Sequence, residues 1–97
     1  MTLRIERQGD SLNFTGTLNR DTLMLYSPFK LLNGADGRLT FDFSGLDTID
    51  TAGLAWVLQQ LAVAKRQGIA VVLCNVPHQL LSLADVSAVR SLLPVID

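Results

Sequence analysis

The chain has 97 residues, of which 48% are hydrophobic and 18% charged, and its formal net charge is −1. That length suits one domain, residues 1–97, and the apolar fraction excludes a disordered chain. The mixed charge offers no basic run to a nucleic acid or a lipid headgroup surface, one cysteine and one histidine cannot frame a disulfide or a metal cluster, and no stretch approaches the ~20 apolar residues that span a bilayer.

The N-terminus, Met1-Thr2-Leu3-Arg4-Ile5-Glu6-Arg7, alternates charge and lacks the apolar core of a signal peptide, so a soluble, cytoplasmic protein is expected. Residues 3–8 alternate apolar and polar and read as a strand. Gly9-Asp10 signals a turn, and Leu12, Phe14, Gly16 and Leu18 recur on one face of a second strand, which predicts an antiparallel hairpin. Asn19-Arg20-Asp21-Thr22 suits a helix cap. A short, imperfect helix is expected over Leu23 to Leu32, interrupted at Pro28, followed by a loop at residues 33–37.

The stretch from Phe41 to Leu54 organises the rest. Leu39, Phe41 and Phe43 alternate with Thr40, Asp42 and Ser44, so one face of this strand is strongly apolar. Gly45 is expected to stop the strand, with Asp47 and Thr48 in a turn and Asp50 and Thr51 where an N-cap belongs. A helix follows from about Thr51 to Gln67. Lys65 and Arg66 suit the negative end of its macrodipole, and Gly68 its C-cap. The apolar run 69–74 predicts a strand buried on both faces, with Cys74 a buried reduced thiol.

Pro77 opens a third helix, from His78 to about Ala84, with Leu80, Leu83 and Ala84 inward. Residues 87–92 add a last helical turn, and residues 93–96 a terminal edge strand that tolerates Pro94. The order is β-β-α-β-α-β-α with a closing strand, an α/β arrangement. Strand–helix–strand crossovers make the later strands parallel, and the opening hairpin makes the sheet mixed.

On a helix of about 3.6 residues per turn, Leu54, Val57, Leu58, Leu61, Ala64 and Lys65 form one stripe, the expected core face. Opposite lie Ala52, Trp56, Gln59, Gln60, Val63 and Gln67. Glutamine belongs in solvent, but Trp56 and Val63 do not. The expectation is a strip that meets another protein, with Trp56 supplying apolar area among uncharged neighbours. The competing reading folds Trp56 onto a neighbouring loop or helix.

Asp42, Asp50 and Thr51 are the polar groups with a claim to chemistry. Free N–H groups at a helix start favour a phosphate, yet simple capping explains Asp50 or Thr51 as well. His78 stands at a helix start, and the serines have no accompanying His–Asp set. There is no GxGxxG, no phosphate loop and no metal-ligand spacing, so neither an enzyme nor a cofactor is expected.

The segment Thr40-Phe41-Asp42-Phe43-Ser44-Gly45-Leu46-Asp47-Thr48-Ile49-Asp50-Thr51-Ala52-Gly53-Leu54 resembles the signature of STAS domains, the fold of anti-sigma-factor antagonists. There, a buried strand carrying an Asp leads into an Asp-Ser-Ser/Thr-Gly-Leu turn that opens a helix. Residues 14–19 resemble the end of the family's second strand, Lys65-Arg66-Gln67-Gly68 its helix-to-strand passage, and residues 77–84 its third helix. The resemblance implies a mixed four- to five-stranded sheet with helices mainly on one face. Two departures bear on mechanism. Ala52 stands where the antagonists are phosphorylated, and Asn19 replaces the Asp that ends the second strand. The Asp-Thr-small-Gly-Leu version and the short length look like the MlaB-like branch.

That likeness implies a non-catalytic accessory subunit. It would bind an ABC-transporter ATPase subunit (MlaF-like) and, through it, a permease (MlaE-like) and an MlaD-like protein, in moving phospholipids between inner and outer membranes. Such a subunit sits at the inner membrane through its complex, without inserting. The implied contact residues are Asp50, Thr51, Ala52, Gly53, Trp56, Gln59, Gln60 and Val63, with Asn19 contributing. The other reading is an anti-sigma-factor antagonist that binds a kinase-like anti-sigma factor. Pairing of two copies through the same strip is left open.

Overall fold

The computed structural model describes residues 2–24 and 37–96. Its elements are β1 (Leu3–Gln8), β2 (Ser11–Leu18), α1 (Arg20–Met24), β3 (Arg38–Ile49), α2 (Thr51–Arg66), β4 (Ala70–Cys74) and α3 (His78–Val86), followed by a 3-10 turn at Arg90–Leu92. The strands form one sheet in the order β1-β2-β3-β4. Gln8 pairs with Ser11 across the two-residue Gly9-Asp10 turn, so β1 and β2 are the expected antiparallel hairpin. β2 with β3, and β3 with β4, are parallel. The expected helix over Leu23 to Leu32 lies outside the described residues from Leu25 onward, as does most of the loop at 33–37. What is described there is α1, beginning earlier, at Arg20.

Period-two alternation gives the sheet one apolar face. Leu12, Phe14 and Leu18 of β2 join Leu39, Phe41 and Phe43 of β3 and Leu73 of β4, and the cluster is closed by Leu54, Val57 and Ala64 of α2 and Leu80 and Ala84 of α3. Each such large side chain withdrawn from water stabilises the fold by roughly 1.5–3 kcal/mol. The Phe14 ring is central, 4.8 Å from Phe43, 5.4 Å from Phe41 and 5.8 Å from Trp56 between centroids. The alternate residues Asn13, Thr40, Asp42 and Ser44 lie on the more exposed face.

Four expectations are corrected. Gly45 does not end its strand, and Asp47 and Thr48 are not in a turn, because β3 runs on to Ile49. Asn13 pairs with Asp42 but Thr15 pairs with Gly45, so β3 carries an extra residue there and bulges. A Cβ on Gly45 would stand 3.0 Å from the Phe14 carbonyl oxygen, so the glycine marks a close approach of two backbones. Second, β4 is not buried on both faces. It follows β3 at the end of the sheet order, and within it Leu73 alone is buried while Ala70 is exposed. Third, Cys74 is accordingly half-buried. The expected closing strand is reduced to one parallel bridge, Leu73 with Val95.

Candidate functional site

The parallel strands β2 and β3 end side by side, and two helices start from those ends. Asp50 donates its N–H to the Leu18 carbonyl at 3.3 Å, which ties the last residue of β2 to the residue that caps α2. The Asp50 carboxylate then spans both helix starts. Oδ1 accepts the Gly53 N–H at 2.9 Å, and Oδ2 lies 3.5 Å from the Arg20 N–H. A short acidic side chain at this junction satisfies donors that the first turns cannot pair internally. Asn19 caps α1 reciprocally. Its Oδ1 accepts the Thr22 N–H at 2.9 Å, and its own N–H donates to Thr22 Oγ1 at 3.0 Å. Thr22, buried, donates its hydroxyl to the Thr17 carbonyl at 2.8 Å. From the third side, Gln79 of α3 accepts the Ile49 N–H at 3.1 Å. Residues 18–20, 49–53 and 79 therefore form one junction at the C-terminal ends of the parallel strands.

Thr51 begins α2 beside this junction. It is exposed, and its hydroxyl has no hydrogen-bond partner among the described residues. Ala52 is half-buried and Gly53 fully buried, so the three residues step from solvent into the core within one turn. Gln59 is exposed, and Gln60 and Val63 are half-buried along the helix flanks.

Trp56 requires a correction. It is only 7% exposed and presents its ring edge-on to Phe14 at 71°, so it belongs to the core and not to an outward strip. The physical reason is the rotation of α2. Of the expected stripe Leu54, Val57 and Ala64 are buried, Leu58 and Leu61 half-buried and Lys65 exposed, and the buried arc centres on Gly53, Val57 and Ala64, roughly 60° round the helix from the centre of that stripe. Trp56 and Leu54 then flank a broad buried arc. The side turned fully outward is Thr51, Ala55, Gln59, Ala62 and Arg66, all exposed. Ala55 and Ala62 were not among the expected contact residues. The small residue at position 53, able to lie flat on the strands, was the one signal for them.

Asp42 sits apart from this junction, in mid-strand on the open face. Its Oδ1 accepts from Asn75 Nδ2 at 3.0 Å and from the Ser44 N–H at 2.9 Å. The Asn75 bond, aided by Ser44 and opposed by partial burial, holds the carboxyl below its usual range. Partial burial, with the Asp42 charge adding to it, pushes the neighbouring Cys74 thiol up, away from a reactive thiolate. His78 is exposed at the start of α3. Among the described residues no group of three or more His, Cys, Asp or Glu side chains could hold a metal ion, and no helix is long and apolar enough to cross a membrane. Both Asp50 oxygens and the Asn19 oxygen are engaged in capping.

The family model described as Mlab, STAS domain matches residues 1–94. Among solved structures, the fold is similar to the anti-sigma factor antagonist SpoIIAA in its unphosphorylated form. The TM-score is 0.66 at 16% identity, covering 98% of this chain and 87% of that one. It is also similar to part of the murine anion transporter Slc26a9 in its inward-facing state, with a TM-score of 0.57 at 19% identity, over 86% of this chain and 14% of the transporter. At these identities the likeness is one of fold. No curated protein matches the sequence.

Proposed function

We propose that this chain, which belongs to the MlaB-type STAS domain family, is a non-catalytic accessory subunit that binds the ATPase subunit of an ABC transporter moving phospholipids between inner and outer membranes. It docks through the start and outer side of α2. The observation that carries this reading is Thr51. Around it Asp50, Asn19 and Gln79 are committed to holding two strands and three helices together, whereas the Thr51 hydroxyl is exposed with no partner among the described residues. A hydroxyl at that place, followed by a flat row of Ala55, Gln59 and Ala62, suits a partner helix laid across α2, with Thr51 donating or accepting one hydrogen bond at the contact. Ala52, Gln60 and Val63 form the flank of that contact. The ATPase subunit links the chain to the permease and the lipid-binding protein, so it works at the inner membrane without entering it.

Ala52 carries no hydroxyl, so docking here does not depend on a phosphate cycle at that position. The experiment is co-purification of the ATPase subunit with this chain and with Thr51→Glu and Gln59→Glu. An acid in the first turn of a helix is favoured by the macrodipole, so Thr51→Glu leaves the fold intact while placing a desolvated charge in the contact. Loss of the ATPase subunit from a folded Thr51→Glu variant is expected. Undiminished co-purification of both variants would overturn the reading.

A further inference from the structure

Among the described residues the exposed large apolar side chains are Val86, Leu92, Val95 and Ile96. Next to this segment a groove of about 420 Å³ runs between the end of α2, the start of β4 and the stretch after the 3-10 turn. Leu61, Ile69, Val71, Leu92 and Pro94 line it. Lys65 is the one charged side chain on its wall and forms no ion pair among the described residues.

One wall of this groove is a strand edge. Leu73 donates its N–H to the Pro94 carbonyl at 2.9 Å and accepts the Ile96 N–H at 2.7 Å, so its backbone points away from β3. Ala70, in contrast, donates toward the β3 side, to the Gly37 carbonyl at 2.9 Å. Direction alternates along a strand, so Val71 aims its N–H and C=O outward as Leu73 does. No backbone hydrogen bond meets Val71 on that side among the described residues. Among the described residues, the segment through Val95 fills one rung of the edge and leaves the next open, directly beside the apolar groove.

We propose that this open rung takes an extended segment of a partner protein, added to β4 as a strand, with an apolar side chain in the groove and a carboxylate opposite Lys65. Backbone pairing supplies the attachment and the groove supplies selectivity. The edge is competent for such pairing, because Val95 already bridges to Leu73 in parallel register. Charge decides between occupants. Two copies joined edge to edge about Val71 would bring Lys65 of each toward grooves that hold no carboxylate to offset them, whereas an acidic segment is complementary. The site is at the far end of α2 from Thr51, so it stands or falls independently of the ATPase contact.

The test is selection of short random peptides displayed on phage against the full chain, followed by titration of the selected synthetic peptides and mapping by backbone amide NMR. Selected peptides are expected to alternate β-branched residues, carry Asp or Glu, and shift the amides of residues 70–73 and 92–95. Val71→Pro removes the outward N–H at an edge position where proline is tolerated, and Lys65→Glu reverses the charge. Each is expected to weaken binding by about ten-fold, the effect of one hydrogen bond or one charge-assisted contact. Should Val71→Pro fail to fold, a peptide N-methylated at its paired residue asks the same question of the unaltered protein, with the same loss expected. The proposal is overturned if no peptide is enriched, if the N-methylated peptide binds as well as its parent, or if the shifts map elsewhere. It is also overturned if sedimentation shows a dimer of this chain that Val71→Pro dissolves.

Discussion

The carbonyl oxygen of Leu18 occupies the space where a side chain on Gly53 would begin: a Cβ there would stand 2.5 Å from that oxygen and 2.7 Å from Ile49 Cγ1. The first turn of α2 therefore rests its backbone on the ends of β2 and β3, and this contact sets which face of the helix meets the core. Gly53→Ala gains about 1 kcal/mol of helix propensity. It also drives a methyl group into a backbone atom that cannot swing aside, and overpacking of this kind typically costs ~1–3 kcal/mol. The steric effect wins, because the atom in the way is backbone, and a net loss of about 1 kcal/mol is expected in urea unfolding. An unchanged urea midpoint would mean that α2 lifts from Leu18 without penalty.

Asp50 holds two helix starts with one carboxylate, and its two obvious replacements separate shape from charge. Asp50→Ala removes the acceptor of the Gly53 N–H and the neighbour of the Arg20 N–H, for a loss of about 1–2 kcal/mol. Asp50→Asn keeps one oxygen for the Gly53 N–H and gives up the charge–dipole attraction, ~0.3–1 kcal/mol, together with the second oxygen beside the Arg20 N–H. Urea unfolding should rank wild type, Asn and Ala in that order of stability. Hydrogen exchange at Gly53 should quicken more in the Ala variant than in the Asn variant. Equal stability of all three would remove Asp50 from the cap.

What could be read before folding was local. The hairpin follows from a Gly-Asp turn between alternating runs, the β3 core face from Leu39, Phe41 and Phe43, and the α2 cap from Asp50 three residues before Gly53. What could not be read depends on neighbours distant in sequence. Gly45 resembles a strand end, and only its pairing opposite Thr15 makes it a bulge. The run from Ile69 to Cys74 is apolar enough for a central strand, yet apolar content says nothing about how many strands flank it. The rotation of α2 was hidden because Trp56 and Leu54 both bury, which widens the apolar arc, and because the residue that sets its centre, Gly53, contributes nothing to hydropathy. The candidate site kept Thr51 and Gln59 on the surface and lost its aromatic centre for that reason.

Trp56 and Thr51, five residues apart on α2 and so on opposite sides of it, should now behave oppositely. Trp56 packs against Phe14 at 7% exposure, so Trp56→Ala opens a cavity and should cost about 3–5 kcal/mol, enough to unfold much of a marginal domain. Thr51→Ala alters an exposed first-turn residue and should stay within about 0.5 kcal/mol of wild type. Thermal unfolding of the two variants distinguishes a core tryptophan from a surface one. A Trp56→Ala variant as stable as Thr51→Ala would place the indole outside the core.

Asn75 and Asp42 couple the end of β4 to the β3 bulge in a pH-dependent way. Asn75 has a left-handed φ of 52° and gives its Nδ2 to Asp42 Oδ1 at 3.0 Å, which lowers the carboxyl below its usual 3.8. A lowered native value means that the unfolded chain takes up the proton first as pH falls. The contribution of this pair is thus fully present well above pH 3.8, declines as the unfolded carboxyl protonates near that value, and is gone once pH drops through the lower native value. Asn75→Gly removes the donor while keeping a residue at ease with positive φ, so backbone strain does not confuse the result. The variant should lose less stability than wild type between neutral pH and the region below pH 3.8. Urea unfolding across that interval measures the slope, and identical slopes for the two proteins would mean that Asp42 is not held by Asn75.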